Sequence, residues 1–285
     1  MRLKQFINES RGKVLSLDDT KKLLQTKCSK AVEAYKKGNV IYRGIFRLDE
    51  FIYVQPSKFT RDSANTRNYY TLINDNAPAW KDYPKRSKSI ICSTNKHRAS
   101  GYGDVYIVFP FDSAKIGVCS SYDYWFSFPF LKKATGIKDM DAFNYQLYSI
   151  FNIDYIKKYT GDIENAYTYD DLKILFHLFD DFVEMSDNEL ETEMEADAEE
   201  SGEEFEPPDH SVTLELLHEE NGNIILLKEY EKFMNMEKYI RYLLDPKKNK
   251  FELKKIGDRL PKNKEVWTDS DSVLVNESMI NEILS

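Results

Sequence analysis

Apolar residues recur at three- and four-residue intervals in several stretches of the chain, and this spacing predicts amphipathic helices. The predicted helices cover residues 17–37, 66–74, 139–160, 168–184 and 229–244. Ser16 or Asp18 is placed to cap the first helix, and Gly38 with Asn39 is placed to end it. Helical segments therefore stand at the start of the chain and throughout its second half.

Short runs of β-branched and aromatic residues between these helices predict strands. The predicted strands cover residues 40–46, 89–93, 105–110, 115–119, 214–218, 223–228, 255–260, 265–268 and 272–275. Strands with long insertions between them favour an α+β fold with a mostly antiparallel sheet, an N-terminal helix and a helical insertion.

Charge is distributed unevenly along the chain. The formal net charge is −8, but residues 184–209 contain 13 acidic side chains and no Lys or Arg, so the rest of the chain carries +5. We expect residues 185–210 to be a disordered acidic linker, which either solubilises the chain or occupies a basic cleft. A mildly basic body is compatible with an anionic ligand such as a dinucleotide or nucleic acid.

Cysteine and histidine spacing excludes several classes of site. The three cysteines form neither a CxxC pair nor a secreted disulfide pattern, and the four histidines lack metal-ligand spacing. No apolar run approaches 18 residues. We therefore expect a protein of a reducing compartment, with no metal site and no membrane span.

Three distant segments contain the residues with the clearest chemical pattern. Val40–Gly44 is a strand-like run that ends in arginine and glycine, Ser89–Thr94 is an apolar run that ends in two hydroxyls, and Glu265–Trp267 opens with a carboxylate. In this order they resemble mono-ADP-ribosyltransferases, in particular phage-encoded and toxin-like members. The resemblance covers residues 40–125 and 255–276, and it implies a split β-sandwich and NAD as a substrate.

The resemblance also implies a role for each residue. The Arg43 guanidinium, followed by Gly44, holds the diphosphate, because its fork binds phosphate through two hydrogen bonds. Ser93 and Thr94 fix the wall of the pocket. Glu265 is the catalytic residue, which holds a ribose hydroxyl while positive charge develops on the sugar. Tyr102, or an aromatic residue between positions 122 and 126, stacks on nicotinamide.

A separate, short resemblance concerns the N-terminus: residues 1–9 look like the leader found on internal head proteins of tailed phages, so we expect a leader at residues 1–16. The resemblance to the transferase family divides the rest of the chain. The ADP-ribosyltransferase-like domain comprises residues 17–125 and 211–285, interrupted by a helical insertion at 126–184 and the acidic linker at 185–210. The implied function is modification of a host protein or nucleic acid, in the host cytoplasm or after packaging in the virion.

Two other functions stay open at this point. Asn263 stands where many protein-modifying members have a second Glu or Gln, so the acceptor is not fixed. One alternative is therefore a non-enzymatic phage protein, associated with the capsid or with a host partner. The other is a nucleic-acid binder that uses a basic face, with candidate side chains Arg61, Arg67, Lys85, Arg86 and Lys88.

Overall fold

The structure is a computed structural model that describes residues 12–46, 49–58, 69–160, 168–202, 204–208, 210–220 and 225–285. The chain divides into two units, which we call the sheet unit and the helical unit. The sheet unit comprises residues 1–67, 71–128 and 246–285, and the helical unit comprises residues 68–70 and 129–245. Most of the expected leader, residues 1–11, lies outside the described residues.

An antiparallel sheet of nine described strands forms the centre of the sheet unit. The strands are β1 (Lys13–Val14), β2 (Tyr42–Ile45), β3 (Phe51–Val54), β4 (Ile90–Ser93), β5 (Asp104–Pro110), β6 (Lys115–Val118), β7 (Glu252–Lys255), β8 (Glu265–Thr268) and β9 (Ser272–Asn276). Their order is β1-β3-β9-β5-β2-β4-β8-β6-β7. The expectation of an α+β fold with a mostly antiparallel sheet is confirmed.

One pair of residues joins the two halves of this sheet. β2 and β4 are paired at Tyr42 and Ser93, whereas β2 pairs with β5 along its whole length and β4 does the same with β8. Beyond this pair, β2 and β4 share no further ladder in the part of the chain that the structure describes. We call this unpaired stretch between β2 and β4, the two strands that contain the arginine and the hydroxyl residues, the opening of the sheet.

The helices outside the range 129–245 are α1 (Leu17–Lys27), α2 (Ser29–Lys36), α3 (Tyr69–Asn76), α4 (Lys96–Ser100) and α11 (Ile280–Leu284). The helix predicted at 17–37 is thus two helices. Ser16 caps the first by accepting a hydrogen bond from the Asp19 backbone at 3.1 Å. The break falls at Cys28, whose backbone is not helical and whose buried thiol donates to the Phe109 carbonyl at 3.3 Å.

β3 lies between the strands predicted at 40–46 and 89–93, where the sequence analysis predicted no strand. The run Phe51–Val54 is apolar and β-prone, and it pairs with β9 in the structure. The helix expected at 66–74 begins at Tyr69 in the described residues. Residues 47–48 and 59–68 lie outside them, and the latter range includes Arg61 and Arg67.

The helical unit contains α5 (Pro129–Thr135), α6 (Met140–Phe151), α7 (Asp154–Thr160), α8 (Tyr169–Ser201), α9 (Val212–Glu220) and α10 (Met236–Leu243). Apolar faces of α6, α8 and α10 form its core, with Phe143, Leu172, Phe179 and Tyr239 each at 0% exposure. The predicted helix 139–160 is divided at Asn152 into α6 and α7.

The acidic segment is helical in its first part, contrary to the expected disordered linker. α8 continues through it to Ser201 and ends at Gly202 in the left-handed conformation. Thr168 and Asp171 form a capping box at its start. Glu, Met and Ala are strong helix formers, and their propensity outweighs the charge that predicted disorder. Residues 203 and 209 lie outside the described range.

Residues 211–245 also differ from the expectation, because they belong to the helical unit and not to the sheet unit. The strand predicted at 214–218 is part of α9, and residues 225–232 form a 3₁₀ helix where a strand was predicted at 223–228. Short apolar runs do not distinguish strands from buried helical turns. Within the described residues, no helix has the length and hydropathy needed to cross a bilayer.

Candidate functional site

Residues from three neighbouring strands form a row across the sheet. Tyr42 of β2 lies opposite Ser93 of β4, and Ser93 lies opposite Glu265 of β8. Directly paired residues of an antiparallel sheet present their side chains on the same face. The register therefore places the Ser93 hydroxyl and the Glu265 carboxylate side by side on one face, next to the opening between β2 and β4.

The Glu265 carboxylate is largely enclosed and makes contacts through both oxygens. Its side chain is 14% exposed, and Oε1 accepts a hydrogen bond from Arg86 Nη2 at 2.6 Å. Oε2 accepts a longer bond of 3.3 Å from the backbone N–H of Tyr124. The Cys119 thiol lies 3.9 Å from Oε1. Glu265 is thus held as one partner of a buried ion pair.

Arg86 is the other partner, and it is buried instead of lining a basic surface as one alternative expected. Its guanidinium carbon lies 3.9 Å from the centre of the Tyr124 ring and 5.6 Å from that of Trp267. Burial lowers the pKa of Arg86, but the charge and hydrogen bond of Glu265, together with Cys119 and Tyr124, raise it above its ordinary value. Nη1 is buried without a hydrogen-bond partner among the described residues.

Two other titratable groups lie against this pair. Burial, and then the charge of Glu265, raise the pKa of the Cys119 thiol well above its usual value. The same two causes, in the same order, raise the pKa of Asp123. Asp123 also accepts a hydrogen bond of 2.8 Å from the Trp125 backbone, which shapes the turn before Trp125. The surroundings of Glu265 therefore disfavour further negative charge.

Thr94 joins β4 to the segment that precedes β8. Its hydroxyl donates to the Pro261 carbonyl at 2.8 Å and accepts from the Lys264 backbone at 2.9 Å. Ser93 Oγ accepts from the Asn95 backbone at 3.0 Å, within the turn that leads into α4. The two hydroxyls predicted to form a pocket wall are thus fixed in place by the chain around them.

Replacing Thr94 by valine is expected to lower the free energy of unfolding by about 1–3 kcal/mol, because two backbone groups lose their partner. Urea titration followed by circular dichroism measures this change. Thr26→Val is the control, since the Thr26 hydroxyl bonds only the Lys22 carbonyl on an exposed helix face. Equal midpoints for the two variants would show that Thr94 does not hold the 261–264 segment.

Arg43 lies at the opening of the sheet. Its Nη1 donates to the Ile91 carbonyl at 2.7 Å, at the position where a continued ladder would place Gly44 opposite Ile91. Successive side chains of a strand alternate between faces. The Arg43 side chain therefore leaves β2 on the side away from Tyr42, whose face Ser93 and Glu265 share.

Gly44 and Tyr102 meet where α4 packs against β2. A Cβ atom at Gly44 would lie 1.8 Å from the Ala99 carbonyl oxygen and 3.1 Å from the Tyr102 Cβ. Glycine is thus required here by the close approach of the α4 backbone. Tyr102 follows α4 directly and is 49% exposed.

Gly44→Ala is expected to destabilise the protein by about 1–3 kcal/mol, because α4 or β2 must shift to admit the methyl group. The shift in urea midpoint relative to wild type tests this. Gly101→Ala is the matched control, since its Cβ would meet the Arg98 carbonyl at an acceptable 3.4 Å. The close-packing argument fails if both alanine variants unfold at the wild-type midpoint.

The structure brings some of the predicted residues together and separates others. Ser93, Thr94 and Glu265 are neighbours, and Gly44 of the adjoining strand β2 lies next to Tyr102, which is in the turn after α4. Arg43 lies at the same opening but is bonded to Ile91. A shallow depression elsewhere in the sheet unit is lined by Tyr35, Asn39, Lys255 and Asp258 among others, and by none of the predicted site residues.

Sequence reasoning missed the buried role of Arg86. The residue stands in a basic run, Lys85–Lys88, which is typical of a solvated loop. Two apolar residues that precede this run, Trp80 and Pro84, were a partial signal of burial. In the structure, the Pro84 carbonyl accepts a hydrogen bond of 2.9 Å from the buried Trp267 indole. The ion pair itself spans 179 positions and leaves no local pattern.

The chain matches no protein-family model, no curated protein and no solved structure. Across the described ranges, no group of three or more His, Cys, Asp or Glu side chains is arranged to hold a metal ion.

Proposed function

We propose that the protein is an NAD-dependent mono-ADP-ribosyltransferase of a tailed phage that modifies a host macromolecule. The observation that supports this function is the adjacency of β2, β4 and β8. Three segments separated by up to 222 positions in sequence, with Arg43, Ser93-Thr94 and Glu265 on them, are consecutive strands at the opening of one sheet. A split β-sandwich of the ADP-ribosyltransferase type would present its cofactor cleft at such an opening.

The proposed reaction breaks the bond between nicotinamide and the ribose carbon C1′. Nicotinamide leaves with the bonding electrons, and the sugar passes through an oxocarbenium-like state. A carboxylate beside the ribose stabilises this positive charge without having to reorganise, because the protein has already fixed it in place.

Glu265 is suited to this task while it remains paired with Arg86. A carboxylate offers about four lone-pair sites, and Arg86 uses Oε1. The bond from Tyr124 to Oε2 is long, at 3.3 Å. Oε2 is thus the oxygen that would accept the ribose hydroxyl, and Arg86 would be the residue that orients the carboxylate.

Arg43 would supply positive charge for the diphosphate from the gap between β2 and β4. Its side chain leaves β2 on the face away from Glu265, but its guanidinium lies against the Ile91 carbonyl of β4. Binding there requires the guanidinium to share or exchange its bond to the Ile91 carbonyl, a bond that a phosphate oxygen can replace with a stronger, charge-assisted one. The hydroxyls of Ser93 and Thr94 would border the nicotinamide ribose, and Tyr102 would offer an exposed ring beside Gly44.

The test of this function uses NAD labelled in the adenylate phosphate, the purified protein and a host lysate. The proposal predicts label in the acid-precipitated fraction and release of nicotinamide in equal amount. NAD labelled on the nicotinamide ring is the control, and it should leave no label in the precipitate. The proposal is wrong if the folded protein yields no more labelled precipitate and no more free nicotinamide than a reaction without protein.

A second candidate function is favoured by the ion pair itself. Arg86 occupies one oxygen of Glu265, and Arg43 is bonded to a main-chain carbonyl. Both side chains are thus engaged within the protein, as expected of a fold that does not use NAD. A non-enzymatic phage protein, capsid-associated or bound to a host partner, would give no heat on titration with NAD. Its detection by mass spectrometry in purified particles, together with that result, would favour this function over the enzyme.

A further inference from the structure

Two exposed aromatic rings belong to the loop that donates a backbone hydrogen bond to the Glu265 carboxylate. Tyr122 is 40% exposed and Phe126 is 52% exposed, and their ring centres are 5.8 Å apart. Tyr124, between them in sequence, is buried and donates its backbone N–H to Glu265. The loop is therefore anchored at its centre, while the rings on either side of the anchor face solvent.

Arg98 extends this surface. Its guanidinium carbon lies 3.8 Å from the centre of the Tyr122 ring, which is the geometry of a cation–π contact. We call Arg98, Tyr122 and Phe126 the aromatic rim. Because the Arg98 guanidinium lies against the ring that would contact a ligand, the rim combines a flat apolar surface with a fixed positive charge.

Hydrogen bonds tie the rim to the strands of the candidate site. The Asn95 side chain caps α4, which contains Arg98, and donates to the Asn263 side chain at 2.6 Å. Lys264 Nζ donates to the Ser120 carbonyl. Segments 95–98, 120–126 and 261–265 thus form one connected border around the ends of β4 and β8, and the rim keeps a fixed position relative to Glu265.

The charge of the sheet unit identifies the class of partner. This unit contains 30 Lys and Arg and 19 Asp and Glu, a net charge of +11, whereas the helical unit contains 10 and 29, a net charge of −19. A strongly cationic body attracts polyanions over long range. Exposed aromatic rings beside cationic side chains are the feature by which proteins bind unpaired nucleobases, since a base stacks on a ring while phosphates meet the cations.

We infer that the acceptor of the proposed transferase is single-stranded nucleic acid, with a base stacked on the aromatic rim next to Glu265; this inference rests on the proposed function. A duplex keeps its bases stacked inside and offers the rim no ring face. An acidic peptide would satisfy the charge of the unit but not the two exposed rings.

The transfer step balances without a further reagent. Nicotinamide departs from C1′ with the bonding electron pair, and a lone pair on a nitrogen or oxygen of the bound nucleotide forms the new bond to C1′. The acceptor atom then releases its proton to solvent. No atom is oxidised or reduced.

Binding can be measured separately from turnover. Fluorescence anisotropy with labelled oligothymidylate of about 20 nucleotides, in the absence of NAD, is expected to show salt-dependent binding. Tyr122→Ala and Phe126→Ala should each weaken binding at least about fivefold, the loss of one stacked base. Arg98→Gln should reduce the slope of log affinity against log salt by about one. Tyr145→Ala is the control, an aromatic residue of the helical unit that is 66% exposed.

Several results would overturn the inference. Absence of oligothymidylate binding at low salt would do so, as would equal affinity for a duplex of the same length, or wild-type affinity in both rim variants. Weaker NAD binding with unchanged oligonucleotide binding in Tyr122→Ala would assign the rim to nicotinamide instead.

If wild type splits NAD but the label is sensitive to protease and not to nuclease, the acceptor is a protein, and only the inference fails. If oligonucleotide binds and NAD is never split, the proposed enzyme fails and the acceptor role fails with it, whereas binding of single strands at the rim stands.

Discussion

Arg86→Met is expected to lower the free energy of unfolding by about 3–5 kcal/mol, the usual effect of removing one partner from a buried ion pair. The variant leaves the Glu265 carboxylate, 14% exposed, without its 2.6 Å cation. It also removes the guanidinium from the Tyr124 ring. Methionine retains most of the apolar stem, so the loss reports mainly the uncompensated charge. Urea unfolding monitored by tryptophan fluorescence measures it, since Trp267 lies beside the pair.

Two further variants separate the ion pair from simple loss of volume. The double variant Arg86→Met with Glu265→Gln removes both charges and should recover more than half of the lost stability, because a neutral pair carries a smaller desolvation cost. Lys96→Met breaks an exposed pair with Glu277 and should leave the midpoint nearly unchanged. If Arg86→Met and Lys96→Met unfold at the same urea concentration, the pair is not a buried electrostatic contact.

Glu265→Gln is expected to lower the rate of nicotinamide release from NAD by more than about tenfold, which corresponds to roughly 1.4 kcal/mol of transition-state stabilisation. Glutamine has nearly the same shape but no negative charge to oppose the developing charge on the ribose. The measurement is a single-turnover time course with protein in excess over NAD.

Loss of stability must be kept apart from loss of catalysis in this variant, because Glu265→Gln also leaves Arg86 without its partner. Far-ultraviolet circular dichroism and gel filtration at the assay temperature identify the folded fraction, and rates are expressed per folded molecule. Arg86→Lys keeps a cation near Glu265 and should retain more activity than Glu265→Gln. Equal rates for wild type and a folded Glu265→Gln would remove the catalytic role of this residue.

Local pattern was sufficient to predict the strands that border the site. Val40–Ile45, Ser89–Ser93 and Glu265–Thr268 have the β-branched and aromatic content of strands, and the structure has strands at each place. Their order in the sheet depends on pairing between segments that are far apart in sequence, as does the register of Ser93 against Glu265. No short stretch of sequence contains this information. The resemblance to a family, and not periodicity, was what associated these three segments.

Two errors have clear physical causes. Residues 185–201 were expected to be disordered because of their charge, yet a helix that is already nucleated by a capped, apolar first half extends through strong helix formers. Arg86 was expected to be solvated because its neighbours are basic. Burial of an arginine depends on a carboxylate and aromatic rings that arrive from distant parts of the chain, here Glu265, Tyr124 and Trp267.

The central claim is that β2, β4 and β8 border one site that binds and splits NAD. Its most direct test is a crystal structure of Glu265→Gln with NAD, a variant chosen so that the cofactor stays intact. We expect the nicotinamide ribose beside Ser93 and within about 3 Å of the residue 265 side chain, as in a hydrogen bond. The diphosphate should reach the Arg43 guanidinium in the gap between β2 and β4, since Arg43 leaves β2 on the other face. NAD bound at another surface would contradict this claim. So would a site without NAD in crystals at saturating NAD, together with no nicotinamide release by wild type.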